Sequence, residues 1–368
     1  MSEVDYEVKG KPRVSSEYLA KIISEARERF KIPAIAVSIM NSKKILCQEV
    51  QGLRVFNRQG DATLDDYFHI GSCSKSILAL IAAKYVEQES IAWETKFFDV
   101  YPELMAAANE IYYDSPLQDL LLCRAGIKSF TNSKVEPLPD YGLDTTNNRL
   151  EFIKYLISQS ASAKIKKGVF KHLYSNASYT MAAAMLEKIS AKSYEEIIRK
   201  TFSEDLNIPV HIGWPNIFSN EQPSGHIITG ENIDVFPPGH AYKLSDLITA
   251  AGDLSLSPKN FTHYTHMHLK GLRGDDNYIS SASYQYIHYC QKGYSLGVYN
   301  GRYGRRKYSG FDGSAGTFFC RSIIVPESDI AISIMMNACP ANMSTKAIDR
   351  LTLQVAKKNY GWWWMFWL

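Results

Sequence analysis

The feature that constrains this chain most is a serine and a lysine three residues apart at the start of an apolar run. Ser72 and Lys75 follow Gly71, and every residue in 77–83 is apolar. On an α-helix, side chains three residues apart lie on one face and can touch. The pattern therefore predicts a tight turn at Gly71 that leads into a buried helix with Ser72 and Lys75 side by side.

A serine and a lysine placed in this way can carry nucleophilic chemistry. A serine hydroxyl is a weak nucleophile until a base takes its proton, and a neutral amine can be that base. The apolar run after Lys75 indicates burial, which lowers the pKa of a lysine because the charged form loses its water. The alternative is a helix-capping Ser72 with a solvated lysine one turn further on, since so short a motif is weak alone.

Length and charge exclude several classes of protein. The 368 residues can bury a large core and suggest two domains, or one large domain with an insertion. The net charge is +3 and the basic residues are scattered, which argues against a nucleic-acid surface. Residues 1–6 lack the pattern of a secretory signal, and no apolar stretch is long enough to span a bilayer. We therefore expect a cytoplasmic protein.

The cysteines and histidines give no sign of a metal site. The six cysteines show neither paired spacing nor a Cys-x-x-Cys motif, so we expect free thiols, with Cys73 and Cys123 in the core. His263, His266 and His268 lack the spacing of a helical zinc pair and have no acidic ligand beside them. They are interpreted as surface or packing residues, and no metal or cofactor is expected.

Apolar periodicity predicts the main secondary structure. Residues 15–31 form an amphipathic pattern with a serine cap, and 85–235 are mostly helical with little strand periodicity. A turn is predicted at Asn300-Gly301. Strands are predicted at 34–40, 44–50, 294–299, 306–309, 316–325 and 330–336, and a closing helix at 345–357.

A second motif, Tyr174-Ser175-Asn176, stands directly before a helical segment. Taken alone, it indicates a helix N-terminus with Ser175 or Asn176 as the cap. A tyrosine pKa near 10 makes the phenol a poor base unless a cation lowers it, and a charged Lys75 close by would do so. Paired with the upstream Ser-x-x-Lys motif, Tyr174 becomes a candidate general base or proton shuttle.

The order of these two motifs resembles that of the class C β-lactamases and their esterase relatives, in the β-lactamase and penicillin-binding-protein superfamily. The resemblance covers about residues 15–357 and implies an α/β plus all-α, β-lactamase/transpeptidase-like fold. In that fold an antiparallel sheet is flanked by helices and carries a helical insertion. Residues 1–84 and 236–368 would form the sheet domain, and 85–235 the helical domain.

The resemblance also implies roles for individual side chains. Ser72 would attack a carbonyl, and Lys75 and Tyr174 would take its proton and return it to the leaving group. Asn176 would hydrogen-bond Lys75 or the substrate. The oxyanion would lie between the backbone N–H groups of Ser72 and Ser314.

A third family motif, Lys-Thr-Gly or His-x-Gly, departs from the pattern here. The best register places Phe311 at the basic position, followed by Asp312 and Gly313, and these residues would line the substrate site. A second register uses 308–310, and an ordinary tight hairpin is the alternative to both. Both registers lack the cation, which argues against a β-lactam or a peptidoglycan stem as substrate.

These observations predict a serine hydrolase that cleaves a small-molecule ester through an acyl-enzyme. The alternatives are an acyltransferase or transesterase, a D-amino-acid amidase or peptidase, and a non-catalytic binding protein that kept the fold. The acyl group, the acceptor and the oligomeric state stay open. The Trp-rich tail at 361–368 suits a membrane interface, but so short a segment binds membranes weakly. Packing against its own protein or a sister subunit is the favoured interpretation.

Overall fold

The computed structural model describes residues 15–131, 137–140, 145–166, 169–240, 244–340 and 346–360. The predicted tail at 361–368 lies outside them. The α-helices in this part of the chain are α1 Ser16–Phe30, α2 Ser74–Glu87, α3 Phe97–Val100, α4 Leu117–Leu121, α5 Thr145–Ser158, α6 Asn176–Ser190, α7 Tyr194–Ile198, α8 Pro215–Phe218, α9 Thr249–Gly252, α10 Pro258–Leu272, α11 Ser281–Tyr289 and α12 Lys346–Tyr360. The strands are β1 Ala34–Met40, β2 Ile45–Gly52, β3 Phe68–His69, β4 Ile165–Lys166, β5 Val169–Phe170, β6 His211–Ile212, β7 Gly225–Thr229, β8 Asn232–Phe236, β9 Leu254–Leu256, β10 Tyr299–Tyr303, β11 Arg306–Ser314, β12 Phe319–Val325, β13 Ile330–Met336 and β14 Ala338–Pro340.

The centre of the fold is a six-stranded antiparallel sheet with the order β10-β11-β12-β13-β1-β2. Every residue of β1, β12 and β13 is buried, so the middle of the sheet is covered on both faces. Side chains alternate between the faces of a strand. In β1, Ala34 and Ala36 join the core that contains α2, whereas Ile35 and Val37 join the core beneath α1. The sheet therefore separates two apolar layers.

Helix α1 shows how local sequence sets these elements. Ser15 caps it by accepting a hydrogen bond from the Tyr18 amide, and Lys31 ends it in a left-handed conformation. Its apolar residues lie on one side and cover the sheet together with α12. The predictions of this helix and of strand β1 are confirmed.

Helix α2 lies between the sheet and the helical region. Its residues Ser74 to Ala83 are all buried, which fits a central helix whose stretch 77–83 is apolar on every side. It packs against α6, α9 and α11, so its first turn is fixed from several sides. Cys73 and Cys123 are both buried, as predicted.

The described part of 85–235 is mostly helical, as predicted, but it also contains short strands, among them β7, which pairs with β8 and, in parallel, with β14. The predicted strand at 294–299 and the turn after it were wrong. Strand β10 begins at Tyr299, so Asn300 and Gly301 lie inside a strand rather than at a turn. The Asn300 side chain bonds the backbone of His288, Gln291 and Gly293, which anchors the preceding loop. The turn falls after Tyr303 instead.

Strand β11 is longer than predicted and runs through Ser314, while β12 begins only at Phe319. The glycine-rich stretch is therefore a strand that leads into a turn at 315–318. In the described ranges, no helix combines the length and the apolar character needed to cross a membrane.

Candidate active site

The turn before α2 exposes one serine at the edge of a buried helix. Strand β3 leads through Ile70 into a 3₁₀ turn at Gly71–Cys73, and the Ser74 hydroxyl donates to the Gly71 carbonyl at 2.7 Å. Gly71 has φ +50°, and a Cβ there would lie 2.4 Å from the Ser314 nitrogen. Only glycine fits this position. Ser72 is half-buried, whereas its helical neighbours are fully enclosed.

Lys75 is buried at 1% exposure, directly beside this serine. Its Nζ lies 2.7 Å from the Asn176 Oδ1, 2.7 Å from the Ala251 carbonyl oxygen and 3.2 Å from the Ser72 Oγ. Burial lowers the pKa of Lys75 to about 7. A neutral amine has two N–H donors and one lone pair. With Asn176 and Ala251 taking the donors, the lone pair faces the Ser72 hydroxyl.

Tyr174 completes the group around the serine. Its phenol lies next to the Ser72 hydroxyl, and Lys75 Nζ lies 4.7 Å from its ring centroid. Burial raises the pKa of Tyr174 well above its ordinary value, and the neighbouring Ser72 hydroxyl only partly opposes this. The expectation that Lys75 would lower this pKa was wrong, because the loss of water by the buried phenol is the largest influence on it. Tyr174 is therefore a neutral phenol near pH 7.

The two interpretations of the Tyr-Ser-Asn motif both describe this structure. Ser175 is the N-cap of α6 and accepts from the Ser178 amide at 3.0 Å. Asn176 accepts from Lys75 and donates from Nδ2 to the Phe130 carbonyl at 2.8 Å. The cap fixes the start of the helix, and the amide of Asn176 is fixed at both ends.

Strand β11 packs directly against the serine turn. A Cβ on Gly313 would lie 1.9 Å from the Ile70 oxygen and 2.8 Å from the Ser72 nitrogen, so no side chain fits there. This contact brings the backbone amides of Ser72 and Ser314 close together. The Ser314 hydroxyl donates to the Phe318 carbonyl at 2.7 Å, which ties that side chain into its own turn. The segment at Gly313 and Ser314 therefore faces the serine turn with its backbone, because the Ser314 side chain is held within its own turn.

The side chains of Phe311 and Asp312 are engaged by partners outside the serine turn, which corrects their assignment to the substrate site. Phe311 is 1% exposed, and its ring contacts Phe261 and Tyr264 of α10. Asp312 accepts three hydrogen bonds from the Arg321 guanidinium. Consecutive residues of a strand point to opposite faces, and each face of this sheet is covered by helices. The Phe311 ring is therefore used for packing, and the Asp312 carboxylate for an ion pair with Arg321.

A family model described as Beta-lactamase matches residues 19–357. The chain belongs to the beta-lactamase family. The predicted family and fold class are thus confirmed. No curated protein sequence matches this family member.

Three solved structures show the same fold as this beta-lactamase-family chain. The octameric penicillin-binding protein homologue from Pyrococcus abyssi has a TM-score of 0.71 at 20% identity, over 94% of this chain and 79% of that one. D-amino acid amidase from Ochrobactrum anthropi SV3, complexed with L-phenylalanine amide, has a TM-score of 0.72 at 15% identity, over 92% of this chain and 97% of that one. The class C beta-lactamase from Rhodobacter sphaeroides has a TM-score of 0.70 at 17% identity, over 92% of this chain and 99% of that one.

Sequence reasoning missed several groups around the serine of this beta-lactamase-family site. The Ala251 carbonyl holds Lys75, and a backbone oxygen leaves no signal in a sequence. Tyr294 lies 5.8 Å from Tyr174, ring to ring, and shares a 3.3 Å hydroxyl contact with Tyr179. A lone tyrosine among 23 in the chain could not have been singled out. Among the residues placed by the structure, no group of three His, Cys, Asp or Glu could hold a metal ion.

The buried lysine makes a testable contribution to stability. Its pKa falls from 10.5 to about 7 on folding, so between these values the unfolded chain binds more protons and stability rises with pH. We expect the unfolding free energy of wild type, relative to Lys75→Met, to rise by roughly 1.4 kcal/mol per pH unit at most in this window. Urea unfolding of both proteins between about pH 7 and pH 9 measures this. If the difference in unfolding free energy between wild type and Lys75→Met does not change with pH, Lys75 keeps its proton in the folded state.

The contact between Gly313 and the serine turn gives a second prediction. Gly313→Ala is expected to destabilise the fold by about 1–3 kcal/mol, because the methyl group would overlap the Ile70 carbonyl. The substitution should also slow the covalent labelling of Ser72 by a fluorophosphonate, because it displaces the serine turn. Melting temperature and labelling rate are measured beside Gly239→Ala, since a Cβ on Gly239 meets nothing within 4 Å. Equal behaviour of the two variants would contradict the close packing described above.

Proposed function

We propose that this protein is a serine hydrolase that cleaves a small-molecule ester through an acyl-enzyme on Ser72. The observation that carries the proposal is the 3.2 Å contact between the Ser72 hydroxyl and a buried lysine whose pKa lies near 7. General bases work best when their pKa lies near the operating pH. Family membership supports a hydrolase.

In the proposed mechanism, Ser72 Oγ attacks the ester carbonyl carbon and its proton passes to Lys75 Nζ. The carbonyl oxygen becomes an oxyanion between the backbone N–H groups of Ser72 and Ser314, which stabilise its charge. The bond to the leaving oxygen then breaks as the Tyr174 phenol gives that oxygen a proton and is reprotonated from Lys75. An alcohol leaves, and the acyl group stays on Ser72. Water attacks the acyl-enzyme by the same route and frees the acid.

The wall formed by β11 supports an uncharged acyl group. Phe311 occupies the position at which the family carries a cation, and it is packed into the core. The acidic side chain at 312 is paired with Arg321. A substrate carboxylate would therefore find no cation on this part of the strand. This argues for neutral esters over substrates that must be held by a carboxylate.

A substrate panel tests the proposal. Neutral p-nitrophenyl esters, the matched esters with a terminal carboxylate, D-phenylalanine amide and a chromogenic cephalosporin are compared by kcat/KM. The neutral esters are expected to exceed the carboxylate-bearing esters and the cephalosporin by about 10²-fold, the scale of losing one charge contact in a dry site. Ser72→Ala controls for non-enzymatic ester hydrolysis. Faster turnover of the cephalosporin or the amide would overturn the proposed substrate class.

The acceptor distinguishes a hydrolase from an acyltransferase on the same site. For a hydrolase, we expect that added alcohols or amines leave the rate of acid release unchanged and that little of the added acceptor becomes acylated. Mass spectrometry of the reaction mixture measures the ratio of acid to acylated acceptor. If acylated acceptor is the main product at low millimolar concentrations of the added alcohol or amine, the enzyme is an acyltransferase and not a hydrolase.

A further inference from the structure

A buried histidine stands three residues before the proposed nucleophile and is used by none of the steps above. His69 is fully buried, at 0% exposure. Its Nδ1 lies 3.2 Å from the Gly71 nitrogen, and its Nε2 lies 2.9 Å from Asp253 Oδ1. Asp253 itself is only 6% exposed, so water competes little for this pair. The ring therefore connects the serine turn to a segment 184 residues away.

These two contacts determine which ring nitrogen carries the proton. The Gly71 amide is a donor only, so Nδ1 must present its lone pair to it. The proton of a neutral ring then sits on Nε2, where the Asp253 carboxylate accepts it. With the other tautomer, or with a doubly protonated ring, an N–H at Nδ1 would face the Gly71 N–H. The carboxylate and the amide thus select the same tautomer.

The histidine also contacts the other parts of the proposed machinery. Trp214 stacks on its ring at 4.3 Å, and the Trp214 Nε1 donates to the Thr317 hydroxyl at 2.7 Å, in the turn after Ser314. Asp253 follows Ala251 by two residues, and the Ala251 carbonyl accepts from Lys75. One ring is therefore linked to the segments that carry the serine, the lysine's acceptor and the second amide.

We propose that His69, held as the Nε2–H tautomer by Asp253, is a positioning residue that sets the orientation of the Gly71–Ser72 turn for acylation. This inference rests on the proposed function, in which Ser72 is the nucleophile. His69 touches neither substrate nor reacting atoms. It acts by accepting the Gly71 N–H, which holds the left-handed glycine and so directs the next amide and hydroxyl.

The tautomer is tested first, on wild-type protein labelled with ¹⁵N-histidine. Two-bond ring correlations in the NMR spectrum show which nitrogen is protonated, and His69→Asn assigns the signal. We expect a bare Nδ1 and a protonated Nε2 for His69. His226 provides an internal control of the opposite kind, since its Nδ1 faces the Asn337 carbonyl at 2.7 Å and its Nε2 accepts from the Phe56 amide. A protonated Nδ1 on His69 would overturn the inference.

The second test separates the two contacts of the ring. Asparagine at position 69 can still accept from the Gly71 amide, whereas glutamine can reach Asp253 but leaves that amide unpaired. The rate of Ser72 labelling by a fluorophosphonate, corrected for the folded fraction, is expected to fall about 100-fold in His69→Gln. It should fall less than about 10-fold in His69→Asn, and in Asp253→Asn, which keeps an acceptor for Nε2–H.

The outcomes separate positioning from mere stability. If both His69 variants only lower the melting temperature and the folded fraction is labelled at the wild-type rate, the positioning role is wrong. If His69→Asn is slowed more than His69→Gln, the Gly71 contact is not the one that matters and the inference fails. If wild type is not labelled at all, the proposed function fails. The NMR result still decides the tautomer in that case.

Discussion

Ser72→Ala is expected to lower ester hydrolysis by about 10⁴-fold or more, the scale found when a catalytic nucleophile is removed. The substitution deletes one half-buried hydroxyl at the head of α2 and leaves the apolar packing of the helix in place. The loss should therefore appear in kcat at an unchanged melting temperature. Release of p-nitrophenol from a short-chain ester measures the rate.

Ser76→Ala is the matched control for this substitution. Ser76 lies four residues further along the chain, in the first turn of α2. Its hydroxyl donates to the Cys73 carbonyl at 2.7 Å and contacts the Tyr264 hydroxyl at 2.9 Å. Its loss should reduce stability by about 1 kcal/mol and leave kcat within a few-fold of wild type. If Ser72→Ala retained the wild-type rate, another residue would be the nucleophile.

Lys75→Met is expected to lower the rate of acylation by about 10²- to 10⁴-fold, because the serine loses its general base. In wild type the rate should rise with pH and level off, with a midpoint at about 7, as Lys75 loses its proton. Below that pH the ammonium group has no lone pair for the serine proton. Labelling rates measured across this range give the midpoint directly.

The control for the lysine is Lys84→Met on the same helix. Lys84 lies near the far end of α2, where its Nζ donates to the Tyr278 carbonyl at 3.0 Å. This variant should keep both the rate and its pH midpoint. A wild-type rate that stays flat from about pH 5 to pH 9 would show that Lys75 is not the base. In that case the neutral Tyr174 could not replace it, since burial raises the pKa of the phenol.

The groups that could be predicted from the sequence are those fixed by short-range geometry. Ser72 in the 3₁₀ turn lies one turn before Lys75 on α2, and Ser175 caps the helix that Asn176 begins, so spacing alone sets their positions. Joining the two motifs required the resemblance to a family, since they are a hundred residues apart in the chain. The fold followed from the same resemblance and from the apolar strands such as β1.

The groups that could not be predicted depend on tertiary packing. The packing of Phe311 against α10 and the pairing of Asp312 with Arg321 decide what these side chains do, and the motif register contains neither fact. The pKa of Tyr174 depends on how much water its ring loses. His69 and Asp253 are polar residues inside apolar segments, which is a signal, but only the fold shows that they form a pair.

Intact-protein mass spectrometry after exposure to a fluorophosphonate tests the central claim most directly. We expect a single adduct on wild-type protein, mapped to the peptide that contains Ser72, and a strongly slowed reaction on Lys75→Met. This result would establish a serine activated by the buried amine beside it. A folded wild-type protein that stays unmodified, or an adduct on a different residue, would contradict the claim.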